Sequence, residues 1–170
     1  MKLIIFEGVF DPPHMGHYWL LRQALEEKDA CGLVVVSSQW AVNSISNKPG
    51  SQSLKTRVNM CLKTFRNIDT NVTTYKDCTY SIEVVNNVIK DYPEFDEFYL
   101  LTGPDWVGKE FYMQDELKKK VTMISLSSHR TMDIRSTWIR ERVKEGQDIT
   151  GLTHSSIEDE VSCLYSGIEV

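Results

Sequence analysis

Short apolar runs alternate with amphipathic segments along the chain. Five runs are rich in β-branched, aromatic or leucine side chains, as expected of strands in a largely buried parallel sheet. These runs cover residues 3–6, 32–37, 71–75, 97–102 and 121–126. The segments between them have apolar residues at helical spacing. Strands alternating with helices predict an α/β fold, with a doubly wound parallel five-stranded sheet in a single domain spanning 1–170.

Turn and capping residues mark the ends of the predicted helices. Helices are expected over 18–26, 53–65, 79–92, 103–120 and 133–146. The polar segment 38–53 is interpreted as a loop, and a loop of that length in a compact domain is more often functional than decorative. From residue 147 the chain is interpreted as a polar tail with one short helix near 157–164.

Composition and charge exclude some functional classes. The chain has 170 residues, of which 41% are hydrophobic and 25% charged, and its net charge is −5. Bulk attraction to nucleic acid or to an anionic membrane is therefore not expected. No apolar run is long enough to span a bilayer, and the N-terminal sequence does not resemble a signal peptide. The four cysteines are dispersed, which favours reduced thiols in a cytoplasmic protein.

The most informative stretch joins the first strand to the first helix and reads FEGVFDPPHMGH over residues 6–17. Its glycines and prolines predict a sharp turn, and a strand-to-helix turn is a natural anion site. His14 and His17 flank Gly16 and are candidate phosphate ligands. Two turn histidines could instead be capping or surface residues. A metal pair fits less well, because no third histidine or cysteine lies nearby.

The pattern G-x-F-D-P-P-H-x-G-H resembles the signature of the HxGH nucleotidyltransferase superfamily, and specifically nicotinate/nicotinamide mononucleotide adenylyltransferase. The resemblance implies a Rossmann-like domain in which His14 and His17 are catalytic. It also implies ATP binding by Gly8, Val9, Phe10 and Gly16. Two positions depart from the pattern: Glu7 replaces a second glycine, and Val9 replaces Thr or Ser.

A second motif begins the last long helix. Ser136 and Thr137 stand where helical N–H groups are free to bind phosphate, and Arg140 follows one turn later. An ordinary N-cap followed by an exposed arginine would give the same local pattern. The stretch resembles the superfamily's I-S-S-T-x-I-R motif, which implies that Ile134, Ser136 and Thr137 bind ATP phosphates and that Arg140 is catalytic.

Weaker signals complete the predicted site. Gly103 and Asp105 resemble a G-x-D element that contacts the adenosine side of ATP. Each remaining candidate has a plainer alternative: Trp40 and Trp106 could pack on the protein, and Lys48 and Arg57 could be surface cations. The tentative substrate-binding residues are Asp11, Trp40, Lys48, Arg57, Thr79 and Trp106. All the predicted loops follow strands, so they are expected at one edge of the sheet.

The resemblance implies adenylyl transfer from ATP to nicotinamide or nicotinate mononucleotide, with Mg²⁺ held mainly by phosphates rather than by protein ligands. The amide or acid form of the mononucleotide and the formation of a homo-oligomer stay open. Two alternatives also remain: phosphopantetheine adenylyltransferase or another HxGH nucleotidyltransferase, and a catalytically silent nucleotide sensor. Small-molecule substrates are expected, without nucleic acid or membrane partners.

Overall fold

A parallel sheet forms the centre of the computed structural model, which describes residues 1–45, 51–103, 108–125 and 134–167. The sheet contains five strands in the order β3-β2-β1-β4-β5, and every pairing is parallel. The strands are β1 (Lys2–Gly8), β2 (Cys31–Val36), β3 (Thr70–Thr73), β4 (Glu97–Thr102) and β5 (Thr122–Ser125). The predicted doubly wound parallel sheet is confirmed.

Helices cover both faces of the sheet. They are α1 (Met15–Lys28), α2 (Gln39–Ser44), α3 (Leu54–Thr64), α4 (Ser81–Asp91), α5 (Gln114–Lys120), α6 (Ser136–Lys144) and α7 (Glu158–Leu164), with a 3₁₀ turn at Ser155–Ile157. Ile4 and Phe6 of β1 pack with α1 and α3, whereas Leu3 and Ile5 pack with α4 and α5. This alternation follows from the two-residue period of a strand and explains why β1 is apolar on both faces.

Two predictions about loops and helices differ from the structure. The loop predicted over 38–53 contains α2, whose N-cap Ser38 accepts a hydrogen bond from the N–H of Ala41. The helix predicted over 103–120 is confined to α5 in the described residues, because Gly108 and Met113 both adopt positive φ and interrupt it. Local backbone conformation therefore overrides the helical spacing of that segment.

The C-terminal segment is more than a polar tail. Ile149, Ile157, Val161 and Tyr165 are buried and pack against residues of α3 and α6, including Met60 and Ile139. Helix α7 accounts for the short helix near 157–164. The tail thus adds a third apolar cluster at the side of the sheet, and this cluster anchors α6 next to the loop that follows β1.

Candidate active site

The candidate site lies at the sheet edge where β1, β2 and β4 end. We call the segment Val9–His17 the histidine loop. Its Phe10 has a φ of 54° and turns its ring back over Gly8, where an added Cβ would lie 3.1 Å from the ring. A side chain at residue 8 would press on the Phe10 ring, so this close approach favours glycine. The Phe10 ring is buried and contacts His17 edge-on at 4.9 Å between centroids.

His14 and His17 form a reciprocal cap at the start of α1. The backbone N–H of His17 donates to Nδ1 of His14 at 3.3 Å, and the N–H of His14 donates to Nδ1 of His17 at 3.1 Å. The two rings stack with centroids 3.6 Å apart. Because each Nδ1 accepts a hydrogen bond, the neutral form of each imidazole carries its proton on Nε2.

Burial sets the charge of His14. Its side chain is only 5% exposed, and this burial lowers the pKa of His14 from 6.5 to about 4. At neutral pH, His14 is therefore a neutral imidazole with one N–H donor. A donor of this kind can bind a phosphate oxygen without bringing a counter-charge of its own.

Helix α6 docks directly on the histidine loop. The Ser136 hydroxyl donates to the carbonyl oxygen of Pro12 at 2.8 Å. The Arg140 guanidinium donates to the carbonyl of Asp11 at 2.6 Å and to the Thr137 hydroxyl at 3.1 Å. The structure therefore brings the two predicted motifs together at one edge. Ile134, just before α6, is instead buried in the third apolar cluster.

Asp11 is buried at the base of the loop. Its Oδ1 accepts from the Tyr165 hydroxyl at 2.5 Å and from the N–H of Gln52 at 3.1 Å, and its Oδ2 lies 3.9 Å from Arg140. Burial, followed by the bond to Asp11, raises the pKa of Tyr165. As placed, the Asp11 carboxylate is committed to bonds within the protein, so it holds the loop in position rather than reaching the open cleft.

Arg57 is completely buried, so the interpretation of it as a surface cation is wrong. Its predicted contact with substrate stays a prediction. Its guanidinium donates to the carbonyls of Gln52, Val9 and Ser37, each at 2.9 Å. Burial lowers its pKa from the ordinary arginine value. The arginine therefore links three loops, because one guanidinium donates to a backbone carbonyl in each of them.

The remaining predicted residues have different surroundings. Trp40 on α2 is 65% exposed, so the alternative that it covers the core is wrong. Thr79 lies at the start of α4, where its N–H donates to Glu83, and Gly103 has open space around it. Gly16 is buried in the first turn of α1. Lys48, Asp105 and Trp106 lie outside the described residues.

Side chains at the start of α4 make contacts that the sequence did not predict. The Ser81 hydroxyl donates to the carboxyl group of Glu7, and the Tyr80 ring stacks on Tyr112 with centroids 4.3 Å apart. Glu7 had been noted only as a departure from a motif. A charged residue at the end of an otherwise apolar strand was the available signal, since such residues are seldom buried without a partner.

Comparison with known proteins identifies the family. The sequence profile described as cytidylyltransferase-like matches residues 5–142. The chain belongs to this family. It is also 30% identical to a probable nicotinate-nucleotide adenylyltransferase of Shouchella clausii, across 93% of each chain. A relative in Aliarcobacter butzleri with the same description is 27% identical, covering 84% of this chain and 88% of its own.

Solved structures have the same fold. A putative nicotinate-nucleotide adenylyltransferase from Vibrio parahaemolyticus superposes with a TM-score of 0.75 at 20% identity, covering 94% of this chain and 97% of its own. The nicotinic acid mononucleotide adenylyltransferase of Plasmodium falciparum, complexed with APC, gives 0.68 at 16% identity, covering 96% of each chain. The family match and the sequence relatives support nucleotidyltransferase activity. In the described residues, no helix is long and apolar enough to cross a membrane.

Proposed function

We propose that this protein transfers the adenylyl group of ATP, supplied as its magnesium complex, to nicotinamide or nicotinate mononucleotide. The products are NAD or its deamido form and pyrophosphate. The sequence relatives in Shouchella clausii and Aliarcobacter butzleri, both described as probable nicotinate-nucleotide adenylyltransferases, support this class of substrate.

The observation that carries the proposal is the reciprocal cap of His14 and His17. Because both Nδ1 atoms are occupied by backbone N–H groups, both imidazoles are left with Nε2 as the proton-bearing atom. The caps also fix the ring orientations before any ligand arrives. Preorganised donors of this kind stabilise charge that develops on phosphate oxygens in a transition state.

The reaction itself needs no protein nucleophile. A phosphate oxygen of the mononucleotide attacks the α-phosphorus of ATP in line, the new P–O bond forms, and the bond between the α-phosphorus and the bridging oxygen breaks. The electron pair leaves with pyrophosphate. Since the second pKa of a phosphate monoester is about 6, the attacking group is already mostly dianionic at neutral pH. Catalysis is then positioning and charge stabilisation.

The residues have distinct roles in this proposal. His14, neutral at pH 7, donates to the transferring phosphate, and His17 donates to the departing phosphates. Ser136 and Thr137 at the first turn of α6 receive the β- and γ-phosphates, together with Arg140. The Arg140 side chain remains partly exposed while it is held by Asp11 and Thr137, so it offers its charge without a large rearrangement.

A pyrophosphate-release screen tests the proposal. The purified chain with ATP and Mg²⁺ is offered nicotinamide mononucleotide, nicotinate mononucleotide or phosphopantetheine, and CTP replaces ATP in a matched set. Release is expected only with ATP and a pyridine mononucleotide. Release only with phosphopantetheine, or only when CTP replaces ATP, would assign the activity of another HxGH nucleotidyltransferase. ATP binding without release in any mixture would instead identify a silent nucleotide sensor.

A further inference from the structure

The C-terminal segment contacts the histidine loop through a tyrosine. Tyr165 directly follows α7 and is buried, and its hydroxyl donates to Oδ1 of Asp11 at 2.5 Å. Burial, followed by the bond to Asp11, raises the pKa of this hydroxyl, so the group stays protonated and remains a donor at neutral pH. A side chain near the end of the chain therefore bears directly on a residue of the candidate active site.

Gln52 provides a second connection between the same two regions. Its backbone N–H also donates to Oδ1 of Asp11, at 3.1 Å, and its side-chain amide donates to the carbonyl of Leu164 at 3.2 Å. Since Leu164 is bonded to Tyr165, these contacts form a closed ring around the Asp11 carboxylate. Two donors on one carboxylate oxygen restrict the rotation of that group.

The orientation of Asp11 matters because Arg140 packs on the same residue. Nη1 of Arg140 donates to the Asp11 carbonyl at 2.6 Å, whereas Oδ2 of Asp11 lies 3.9 Å from this nitrogen. A separation of 3.9 Å is too long for a hydrogen bond. The carboxylate therefore attracts the guanidinium without accepting an N–H from this nitrogen.

This spacing suits a cation that has to bind phosphate. A carboxylate and a phosphate compete for the same guanidinium N–H groups, and a carboxylate that accepts two of them offsets much of the positive charge. The Arg140 side chain is 25% exposed, so a ligand can approach it. Without the donor from Tyr165, the Asp11 carboxylate is freer to turn towards Arg140 and to accept N–H groups that a triphosphate would otherwise receive.

We propose that Tyr165 is a positioning residue for adenylyl transfer, whose hydroxyl holds the Asp11 carboxylate so that Asp11 orients Arg140 without pairing tightly with it. This inference rests on the proposed function, in which Arg140 binds the departing phosphates. Tyr165 touches neither substrate and acts only through Asp11 and Arg140. Its effect therefore falls on kcat, since charge moves onto the pyrophosphate in the chemical step, and not on binding of the mononucleotide.

Kinetic coupling between Tyr165 and Arg140 tests the inference. Pyrophosphate release gives kcat and the mononucleotide KM for the wild-type chain, Tyr165→Phe, Arg140→Lys and the double variant. Tyr165→Phe should lower kcat about tenfold and change this KM by less than about twofold. Arg140→Lys keeps a positive charge but loses the planar pair of nitrogens that contact Asp11 and Thr137. In that background, Tyr165→Phe should change kcat by less than about twofold.

The double variant separates positioning from a loss of folded protein. A purely structural role would remove active molecules whether arginine or lysine is present at residue 140, so kcat would fall equally in the two backgrounds. Near-UV circular dichroism measures the folded fraction of each sample. Tyr99→Phe is the matched control, because it removes a hydroxyl that donates to Glu97 and should leave kcat unchanged.

The outcomes also distinguish this inference from the proposed function. An equal fall in kcat in both backgrounds, a kcat of Tyr165→Phe within about twofold of wild type, or a change in the mononucleotide KM alone overturns the role of Tyr165 and leaves the proposed function standing. Absence of pyrophosphate release by the wild-type chain overturns both. If Tyr165→Phe does not fold, Gln52→Met takes its place. It removes the donor to Leu164 but keeps the N–H on Asp11, and its loss of kcat should likewise disappear in the Arg140→Lys background.

Discussion

The histidine loop and the start of α4 lie at the same edge of the sheet, but different backbone groups are paired with side chains in the two regions. In the histidine loop, Arg57 and Arg140 donate to the backbone carbonyls of Val9 and Asp11. At the start of α4, Glu83 accepts backbone N–H groups. In the histidine loop, arginine side chains pair with the backbone carbonyls. At the start of α4, a glutamate carboxylate pairs with the backbone N–H groups.

Under the proposed function, the donor-rich histidine loop is the part of this edge that receives phosphate groups. The protein as a whole is acidic, with a net charge of −5, so phosphate binding depends on the local excess of donors around His14 and His17. Substitutions on the two sides of this edge are expected to differ in their effects on stability and activity.

Arg57→Met should destabilise the histidine loop and the protein as a whole. The variant keeps an apolar stem but leaves the carbonyls of Val9, Ser37 and Gln52 without this donor. Each buried unsatisfied acceptor costs about 1–3 kcal/mol, so we expect the free energy of unfolding to fall by about 4 kcal/mol. Urea denaturation measures the loss. Arg66→Met, at an exposed arginine, is the control, and equal effects of the two variants would contradict the bracing role.

His17→Ala should remove a phosphate donor from the donor-rich end. We expect kcat to fall by about 10²–10³-fold, or about 3–4 kcal/mol, while the KM for the mononucleotide changes little. Steady-state pyrophosphate release measures both constants. His17→Gln is the matched variant, because a glutamine at this position can still cap the N–H of His14. A kcat within a few-fold of wild type in both variants would show that His17 takes no part in the chemistry.

The pKa of His14 predicts a pH-dependent stability. The native pKa is about 4, against an ordinary value of 6.5, so the unfolded state binds a proton first as the pH falls. Stability is therefore fully present above pH ~6.5 and is lost progressively towards pH ~4. Between pH 7 and pH 5 the loss from this residue is about 2 kcal/mol.

His14→Asn isolates this contribution. Asparagine remains a good N-cap but does not titrate, so the variant should lack the loss of about 2 kcal/mol. Urea denaturation of both proteins at pH 7 and pH 5 gives the difference, and all other titrating groups cancel. The same pH dependence in both proteins would refute the assignment of a low pKa to His14.

Tyr165→Phe should weaken the connection between the C-terminal segment and the histidine loop. Loss of the hydroxyl removes one of the two donors to Oδ1 of Asp11 and leaves the N–H of Gln52. We expect a destabilisation of about 1–2 kcal/mol, measured by thermal or urea unfolding. Tyr99→Phe removes a hydroxyl that donates to the exposed Glu97 and should cost much less. Equal losses of unfolding free energy in the two variants would show that the hydrogen bond to Asp11 does not stabilise the protein more than the exposed one.

Trp40→Ala should have the smallest effect on stability, because the side chain is 65% exposed. We expect a change in unfolding free energy within about 0.5 kcal/mol. If the indole stacks on the pyridine ring, the KM for the mononucleotide rises while that for ATP is unchanged. Melting temperature and kinetics of one preparation distinguish these effects. A rise in the KM for ATP would place Trp40 at the other substrate.

The sequence alone determined the order of the elements and the position of the two principal motifs. Apolar runs at a period of two, helical spacing and turn residues act over a few positions, so the strands and the histidine loop are readable locally. The same reasoning predicted that the loops after the strands share one edge. Ser136 and Arg140 do contact the histidine loop, although they lie more than a hundred residues further along the chain.

Only the tertiary structure decided which polar groups are paired. Arg57 binds a carbonyl 48 residues away, Glu7 binds a hydroxyl 74 residues away, and Tyr165 binds a carboxylate 154 residues away. None of these pairs has a local signature, because each depends on how helices pack on the sheet. A buried charge must find a partner wherever the fold places one. The sequence could therefore indicate an unusual Glu7 or Arg57, but only the folded chain could assign its partner.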